Sequence, residues 1–292
     1  MTYYVKTDDE HFSKKLTEEL EDRGFVEGKL PVKFVFLSGK FAYQRHHIDL
    51  KKSELTNLIH YPSITNKIKL HQDFKGESFI KDFDILSPEK KQYLPELPLR
   101  FIKILKPVDG YAGSDISIVQ TRREIEAWLL NHPHPEWILQ DYIKTPALKD
   151  GHKFHLRVPI LVYKKTVWMF PRSQYYVAKD LYEQKIWNSK DIHDTHWNPE
   201  FSYLYPNDLP DGWKRSKDLT LIFQKVFEHI SLKPDWNSGK SFYLFGADVM
   251  FDKRIPILLE VNAKIGLKSM EHVIPSLLNV LQNKPSEFVR IL

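Results

Sequence analysis

Two short runs near the carboxyl end carry the residue types that suit a hard metal ion. Phe245-Gly246-Ala247-Asp248-Val249-Met250-Phe251 is followed, after a brief turn, by Ile257-Leu258-Leu259-Glu260-Val261-Asn262. Both are rich in β-branched and aromatic residues and read as a hairpin. Strand alternation puts Glu260 and Asn262 on one face and Ile257, Leu259 and Val261 on the other. With an odd number of loop residues centred on Arg254, Asp248 stands opposite Glu260 and three oxygen-bearing side chains converge. Magnesium accepts one or two carboxylates and completes its shell with water and phosphate oxygens, so this set suits it. A hairpin with a solvated polar face has the same pattern.

Three further groups could handle an anion. In Lys153-Phe154-His155-Leu156-Arg157-Val158-Pro159-Ile160-Leu161-Val162, alternation gathers Lys153, His155 and Arg157 on one face. Cations in such a row repel one another unless an anion or carboxylates face them, although a solvated outer face is the plainer reading. Pro159 cannot donate to a ladder, so pairing is broken there or the strand lies at an edge. Lys106-Pro107-Val108-Asp109-Gly110-Tyr111-Ala112-Gly113-Ser114 lies between two strands, so it is not the loop of a strand-to-helix phosphate motif. Its glycines can still fold backbone N–H groups over phosphates, with Lys106 adding a point charge; a glycine-containing β-hairpin is the ordinary alternative. Gln140-Asp141-Tyr142-Ile143 ends a strand and offers backbone groups to a base edge, or is a plain interdomain turn. The histidine pairs His46-His47, His132 with His134, and His193 with His196 match no zinc spacing and read as surface or core residues.

The elements that must position these groups are legible in outline. Thr2 to Lys6 reads as a strand, then a helix from Glu10 to Asp22 that Asp8 or Asp9 caps and Gly24 ends. Val32 to Leu37 is a strand. Tyr61 to Phe74 is loop, then helix. Pro88, Pro95 and Pro98 punctuate a long connection. Strands follow at Phe101 to Lys106, Ile116 to Val119, Trp137 to Ile143 and Lys153 to Tyr163, with a helix over Glu124 to Asn131. Asp180 to Gly212 shows no clear periodicity. Helices at Lys217 to Ser231 and Ser276 to Gln282 flank the carboxyl-terminal hairpin.

Composition sets the frame. The chain has 292 residues, 42% of them hydrophobic and 28% charged, which is globular and long enough for two domains or one large α/β unit. No apolar run reaches the ~18 residues of a membrane span. The polar amino terminus shows neither signal peptide nor anchor. The absence of cysteine excludes disulfides, a thiolate nucleophile and a cysteine zinc site, and points to an intracellular protein. A net charge of +5 favours anionic partners weakly.

Taken in order, these segments resemble the tubulin tyrosine ligase-like family of the ATP-grasp fold. The resemblance rests on Asn66-Lys67-Ile68-Lys69-Leu70, Lys106 to Gly113, Gln140 to Ile143, Gly151-His152-Lys153-Phe154-His155-Leu156-Arg157, and the pair Gly246-Ala247-Asp248 with Glu260-Val261-Asn262. It covers roughly residues 61 to 265. It implies an α/β (α+β) chain in which ATP lies between two mainly antiparallel β-sheets. The expected divisions are a small amino-terminal α/β subdomain over 1–64, a central subdomain over 65–143 and a carboxyl-terminal one over 144–292. Lys106 and Lys153 would serve the phosphates, Gln140, Asp141, Tyr142 and Ile143 the adenine, and Lys67 would also bind the nucleotide. Asp248, Glu260 and Asn262 would hold Mg²⁺, with Glu260 catalytic. Arg157 and Arg172 would face the reacting groups, and His196 would lie near the nucleotide. The implied activity is an ATP-dependent ligase that activates a carboxylate as an acyl phosphate and couples it to an amine, adding a free amino acid to a protein or peptide acceptor such as tubulin. A cytoplasmic monomer with no membrane or nucleic-acid partner is expected. An ATP-grasp kinase, or a nucleotide-binding protein without turnover, would use the same phosphate and metal residues. Three departures stand out: His155 replaces the family aspartate, the Lys106 loop has fewer glycines, and no tyrosine follows Arg172 at the usual spacing.

Overall fold

The computed structural model describes residues 1–29, 33–37, 55–57, 63–87, 97–98, 101–109, 115–132, 134–183, 187, 189–195, 203–204, 216–231, 241–263 and 267–292. The chain opens with β1 (Thr2–Lys6) and α1 (Glu10–Asp22), followed by β2 (Val26–Glu27), β3 (Phe34–Leu37) and β4 (Leu55–Asn57). Asp9 caps α1 by accepting from the Phe12 amide, and Gly24 turns the chain away at φ 78°. Phe12, Leu16 and Leu20, four apart, make the buried stripe of α1.

A second group comprises α2 (Lys67–Asp73), β5 (Phe83–Leu86), β6 (Lys103–Pro107), β7 (Ser117–Val119), α3 (Arg122–Asn131) and β8 (Trp137–Asp141). Its strands form an antiparallel sheet in the order β5-β8-β6-β7. Leu105, Val119, Ile125, Trp137 and Leu139 fill the space between this sheet and α3. Thr121 and Glu124 close the first turn of α3 with a reciprocal capping box.

The remainder is built on β9 (Leu148–Lys149), β10 (His152–Tyr163), β11 (Thr166–Met169), β12 (Ser173–Leu181), α4 (Lys190–His193), β13 (Tyr203–Leu204), α5 (Ser216–Ser231), β14 (Ser241–Asp252), β15 (Ile255–Asn262), α6 (Ile274–Leu281) and β16 (Val289–Arg290). The large sheet runs β13-β12-β10-β14-β4-β3-β1-β2, with β15 also paired to β14. It is antiparallel from β12 to β15 and parallel from β14 through β4, β3 and β1, so the amino-terminal strands continue the sheet of the carboxyl-terminal part. One apolar core, with Phe154, Leu156, Val158, Phe223, Phe245 and Phe251, lies on one face of β10 and β14. The other face of the same strands is divided: Leu161, Tyr163, Phe242 and Leu244 join a second apolar core at one end, and Lys153, His155, Arg157 and Asp248 occupy the other. Pro159 sits in the middle of β10 with its pairing to β14 unbroken. On its other side the partner changes from β12, which ends at Arg157↔Gln174, to β11, which begins at Ile160↔Met169. The missing N–H falls in that gap. Among the described residues no helix is long and apolar enough to cross a membrane.

Candidate active site

A cavity of about 380 Å³ separates the four-stranded sheet from the β10, β14 and β15 part of the large sheet. Lys106 and Gln140 enter from the small sheet, Lys153, His155, Asp248 and Glu260 from the large one, and Lys67 from the start of α2.

The hairpin that brings in Asp248 and Glu260 reaches its register differently from the expectation. Its turn has two residues, not an odd number: Asp252 pairs with Ile255, and Lys253 takes φ 56°. The odd count comes from a bulge, because Val249 pairs with Leu258 while Asp248 pairs with Glu260, leaving Leu259 as the extra residue. The bulge also corrects the faces. Leu258 and Val261 join the core, whereas Ile257 and Leu259 pack with Met250 and Ile143 on the cleft side, together with Glu260.

Across the sheet, Gln174, Arg157, Asp248 and Glu260 stand in one row on four adjacent strands. Arg157 grips Asp248 through two parallel bonds, Nε to Oδ1 at 2.8 Å and Nη2 to Oδ2 at 2.7 Å. Its Nη1 donates to the Tyr176 hydroxyl at 3.1 Å, and the guanidinium lies 4.8 Å from the centre of that ring. Burial disfavours the charged guanidinium, yet the adjoining Asp248 carboxylate outweighs it and the net shift is upward. Asn262 donates from one Nδ2 to Asp248 at 3.1 Å and to Glu260 at 2.8 Å. Asn262 thus links the two carboxylates through its amide nitrogen, and their oxygens suit the preferences of Mg²⁺, to which the amide could add its Oδ1 once turned about.

On the opposite wall a chain of polar bonds fixes the orientation of every member. The Lys67 carbonyl can only accept, so His71 donates to it from Nδ1 at 2.7 Å and keeps Nε2 as an acceptor. Gln140 Nε2 donates to that nitrogen at 2.8 Å, which turns Gln140 Oε1 to receive the Lys106 ammonium at 2.9 Å. Burial, reinforced by the Lys106 charge, pushes His71 down to about 3, so the ring is neutral. Lys106 itself is lowered to about 8, chiefly by burial and against the attraction of Glu260. Lys67 lies 3.4 Å from Glu260 Oε2 and bridges the two walls.

Lys153 donates to the Tyr142 hydroxyl at 2.8 Å and lies 4.4 Å from that ring's centre. Burial lowers it to about 7 despite nearby Asp194. Tyr142 OH also bonds His193 Nδ1 at 2.8 Å, and burial raises its own pKa. His155 bonds Thr195 Oγ1 at 2.6 Å and stacks on Tyr176 at 4.7 Å with the planes 3° apart. The row of Lys153, His155 and Arg157 is therefore buried, not a solvated outer face.

Of the residues singled out from sequence, Lys67, Lys106, Gln140, Tyr142, Ile143, Lys153, Asp248 and Glu260 line the cavity, and Arg157 and Asn262 adjoin it through Asp248. Asp141 does not: its carboxylate is half-exposed on Lys103 at 2.7 Å, and its N–H is committed to Asp82 O at 2.9 Å. Tyr142 likewise donates its N–H to Ile102 O at 3.3 Å, so Ile143 is the next hinge residue along. Arg172 does not line the cavity either. Its Nη2 is held outside the cleft by Glu287 at 2.7 Å. His196, Gly110 to Ser114, Pro88, Pro95 and His46-His47 lie outside the described residues. His71, Tyr176, Trp187 and Thr195 belong to the site and escape the sequence reading, and His193, read from sequence as a surface or core histidine, bonds Tyr142 there. Only His71 carries a local signal, four residues after Lys67 on one helix face.

Comparison with known proteins bears on the family and the fold. The chain is 28% identical over 200 residues to Tubulin glycylase 3B of Drosophila melanogaster, covering 56% of this chain and 26% of that protein. It is 23% identical over 222 residues to the Probable tubulin polyglutamylase ttll-9 of Caenorhabditis elegans, covering 65% and 53%. The chain thus spans about a quarter to a half of the length of these relatives. Its fold matches the crystal structure of the C-terminal domain of K. lactis Pby1, an ATP-grasp enzyme interacting with the mRNA decapping enzyme Dcp2, at a TM-score of 0.66 and 17% identity, over 100% and 98% of the two chains. The fold is therefore ATP-grasp, and since the model of the Tubulin-tyrosine ligase family matches residues 46–198, just over half of the sequence, this chain belongs to that family.

Proposed function

We propose that this chain is an ATP-dependent ligase that joins a free amino acid to a protein or peptide acceptor, with an acidic tubulin tail the favoured acceptor. One observation carries the reading. Lys106 and Lys153 are buried ammonium groups that face one cavity, and among the described residues neither has a carboxylate within ion-pair distance. Buried cations left on neutral partners are costly, and a bound polyphosphate removes that cost.

In this reading Lys106 and Lys153 bind the phosphates, the Ile143 segment meets the base edge, and Met250 and Leu259 form its apolar floor. Asp248, Glu260 and Asn262 would hold Mg²⁺, which when bound offsets charge on the phosphoryl group being transferred. Arg157 holds Asp248 aimed at the row, and Lys67 pairs with Glu260. A carboxylate oxygen attacks the γ-phosphorus as ADP departs; the amine then attacks the acyl carbon, phosphate leaves, and an amide remains. His155, on its Tyr176 platform, presents a ring where the family pattern has a carboxylate, so the incoming amine meets a different surface.

The relatives' names, a glycylase and a polyglutamylase, make glycine and glutamate the first amino acids to test. Mass spectrometry of an acidic tubulin-tail peptide, after incubation with ATP, Mg²⁺ and each amino acid, should show the gain of one amino-acid residue. A gain of phosphate alone would make the protein a kinase. ATP binding with no mass change on any acceptor would leave a binding protein.

A further inference from the structure

Gln174 pairs directly with Arg157, so its side chain stands on the cleft side of the sheet as the outer member of the row that continues through Asp248 to Glu260. It has no exposed surface, and among the described residues neither Nε2 nor Oε1 has a hydrogen-bond partner. A buried primary amide unmatched at both ends forfeits the bonds it makes in water, so it burdens the folded chain unless a ligand uses it. The rest of the row is matched: Arg157 by Asp248 and Tyr176, and Glu260 by Asn262 and Lys67. Two residues earlier, the buried Nε of Arg172 also lacks a partner. Unmet bonding capacity therefore gathers where β12 begins, one strand beyond Arg157 and away from Glu260.

We propose that Gln174 reads a peptide bond of the acceptor next to the reacting group, an inference that rests on the ligase reading above. A primary amide offers a donor and an acceptor side by side, the complement of a peptide C=O and N–H. A free amino acid fits less well, because its ammonium and carboxylate call for charged partners and this amide is neutral. The position also suits a polypeptide. A carboxylate reacting at the Arg157 and Asp248 row has its backbone within reach of the neighbouring strand, about 5 Å away. In the ligand-free chain the amide is closed off. The neighbouring edge strand β13 is two residues long and pairs with Ser173 and Gln174, and so short an edge is weakly held.

Gln174→Met tests this, since it replaces the amide with an apolar chain of similar length. The variant should melt higher by about 2–4 °C, because an unmatched amide is removed. Its KM for the acidic peptide should rise on the order of tenfold or more, with the KM for the amino acid and ATP affinity unchanged. A lower melting temperature or failure to fold means the amide is satisfied inside the chain, by a buried water for example, and overturns the proposal. So does a higher melting temperature with the peptide KM unchanged, or an effect confined to the amino-acid KM. If wild-type protein forms no ligated product, the ligase reading fails and this proposal falls with it. That failure is separable, because the melting temperature and ATP affinity of the variant are still read.

Discussion

Raising the pH from 6 to 8 should turn ATP binding from a step that leaves the protein's proton count almost unchanged into one that takes up more than a proton. Burial lowers Lys153 to about 7, with Asp194 opposing, and lowers Lys106 to about 8, with Glu260 opposing and Lys67 assisting. At pH 6 both ammonium groups are charged. At pH 8 Lys153 is roughly nine-tenths neutral and Lys106 about half neutral. Phosphate oxygens beside each lysine favour the charged form, so binding restores what is missing, roughly 1.4 protons at pH 8 against about 0.1 at pH 6. Calorimetric titration of ATP with Mg²⁺ in buffers of differing ionisation enthalpy measures this number as a slope. Lys153→Met should remove roughly 0.9 proton of the uptake at pH 8 and leave the Lys106 share. The ligand-free protein should show the matching stability change. Both folded pKa values lie below the ordinary 10.5, so between about 7 and 10.5 the folded chain binds fewer protons than the unfolded chain and gains stability as pH rises. A calorimetric slope near zero at both pH values, or one untouched by Lys153→Met and Lys106→Met, would refute the assignment of these lysines to the phosphates.

Three other perturbations separate catalytic from structural roles. Glu260→Gln keeps the shape of a half-buried side chain and removes its charge, so turnover should fall by about 3 kcal/mol of barrier or more while the melting temperature barely moves; near-normal turnover at saturating Mg²⁺ would sink the metal assignment. Asp248→Ala leaves the Arg157 guanidinium buried without its partner, and chemical denaturation should show a loss of about 3–5 kcal/mol. Gln140→Leu strands both His71 Nε2 and the Lys106 ammonium. It should cost about 2–4 kcal/mol of stability and weaken ATP binding, whereas an effect below about 1 kcal/mol would mean the relay is not closed.

Elements whose signals are local were legible in the sequence. Strand β1 and helix α1 fall where alternation, the Asp9 cap and Gly24 place them. The β10 row was legible too, because a period of two over eleven residues needs no partner to be recognised. The hairpin β10–β11 and the strand β12 were not. Their turn is Lys164-Lys165, with φ of 49° and 65°, a left-handed pair that glycine or asparagine usually fills, so the ordinary signal is missing. Tyr176 and Gln174 were lost with that strand, since their roles exist only through pairing with His155 and Arg157. An ordinary turn pair does stand at Asp150-Gly151, where Gly151 has φ 83° and an added Cβ would come within 2.8 Å of Leu181. Arg172 shows the limit of motif order. The resemblance implies that it faces the reacting groups, but which way its guanidinium points depends on Glu287, 115 residues on.

Leu259 decides what the bulge is for. In a regular ladder set by the two-residue turn, Asp248 would face position 259, so removing Leu259 should move Glu260 and Asn262 back by one place and keep both opposite their present partners. The carboxylate row does not require the extra residue. What the extra residue adds is an apolar side chain on the cleft side, beside Met250 and Ile143, immediately before the carboxylate. The bulge thus sets an apolar floor and an acidic ligand side by side on one face, which strict alternation forbids. Deletion of Leu259 should therefore leave Mg²⁺-dependent chemistry present at saturating ATP while weakening ATP binding by the burial of one leucine, about 1.5–3 kcal/mol or roughly 10- to 150-fold in Kd. Leu259→Ala should show a smaller loss in the same direction. If the deletion abolishes turnover at saturating ATP in a folded protein, the bulge positions the carboxylates after all; if ATP affinity is unchanged, Leu259 does not underlie the base.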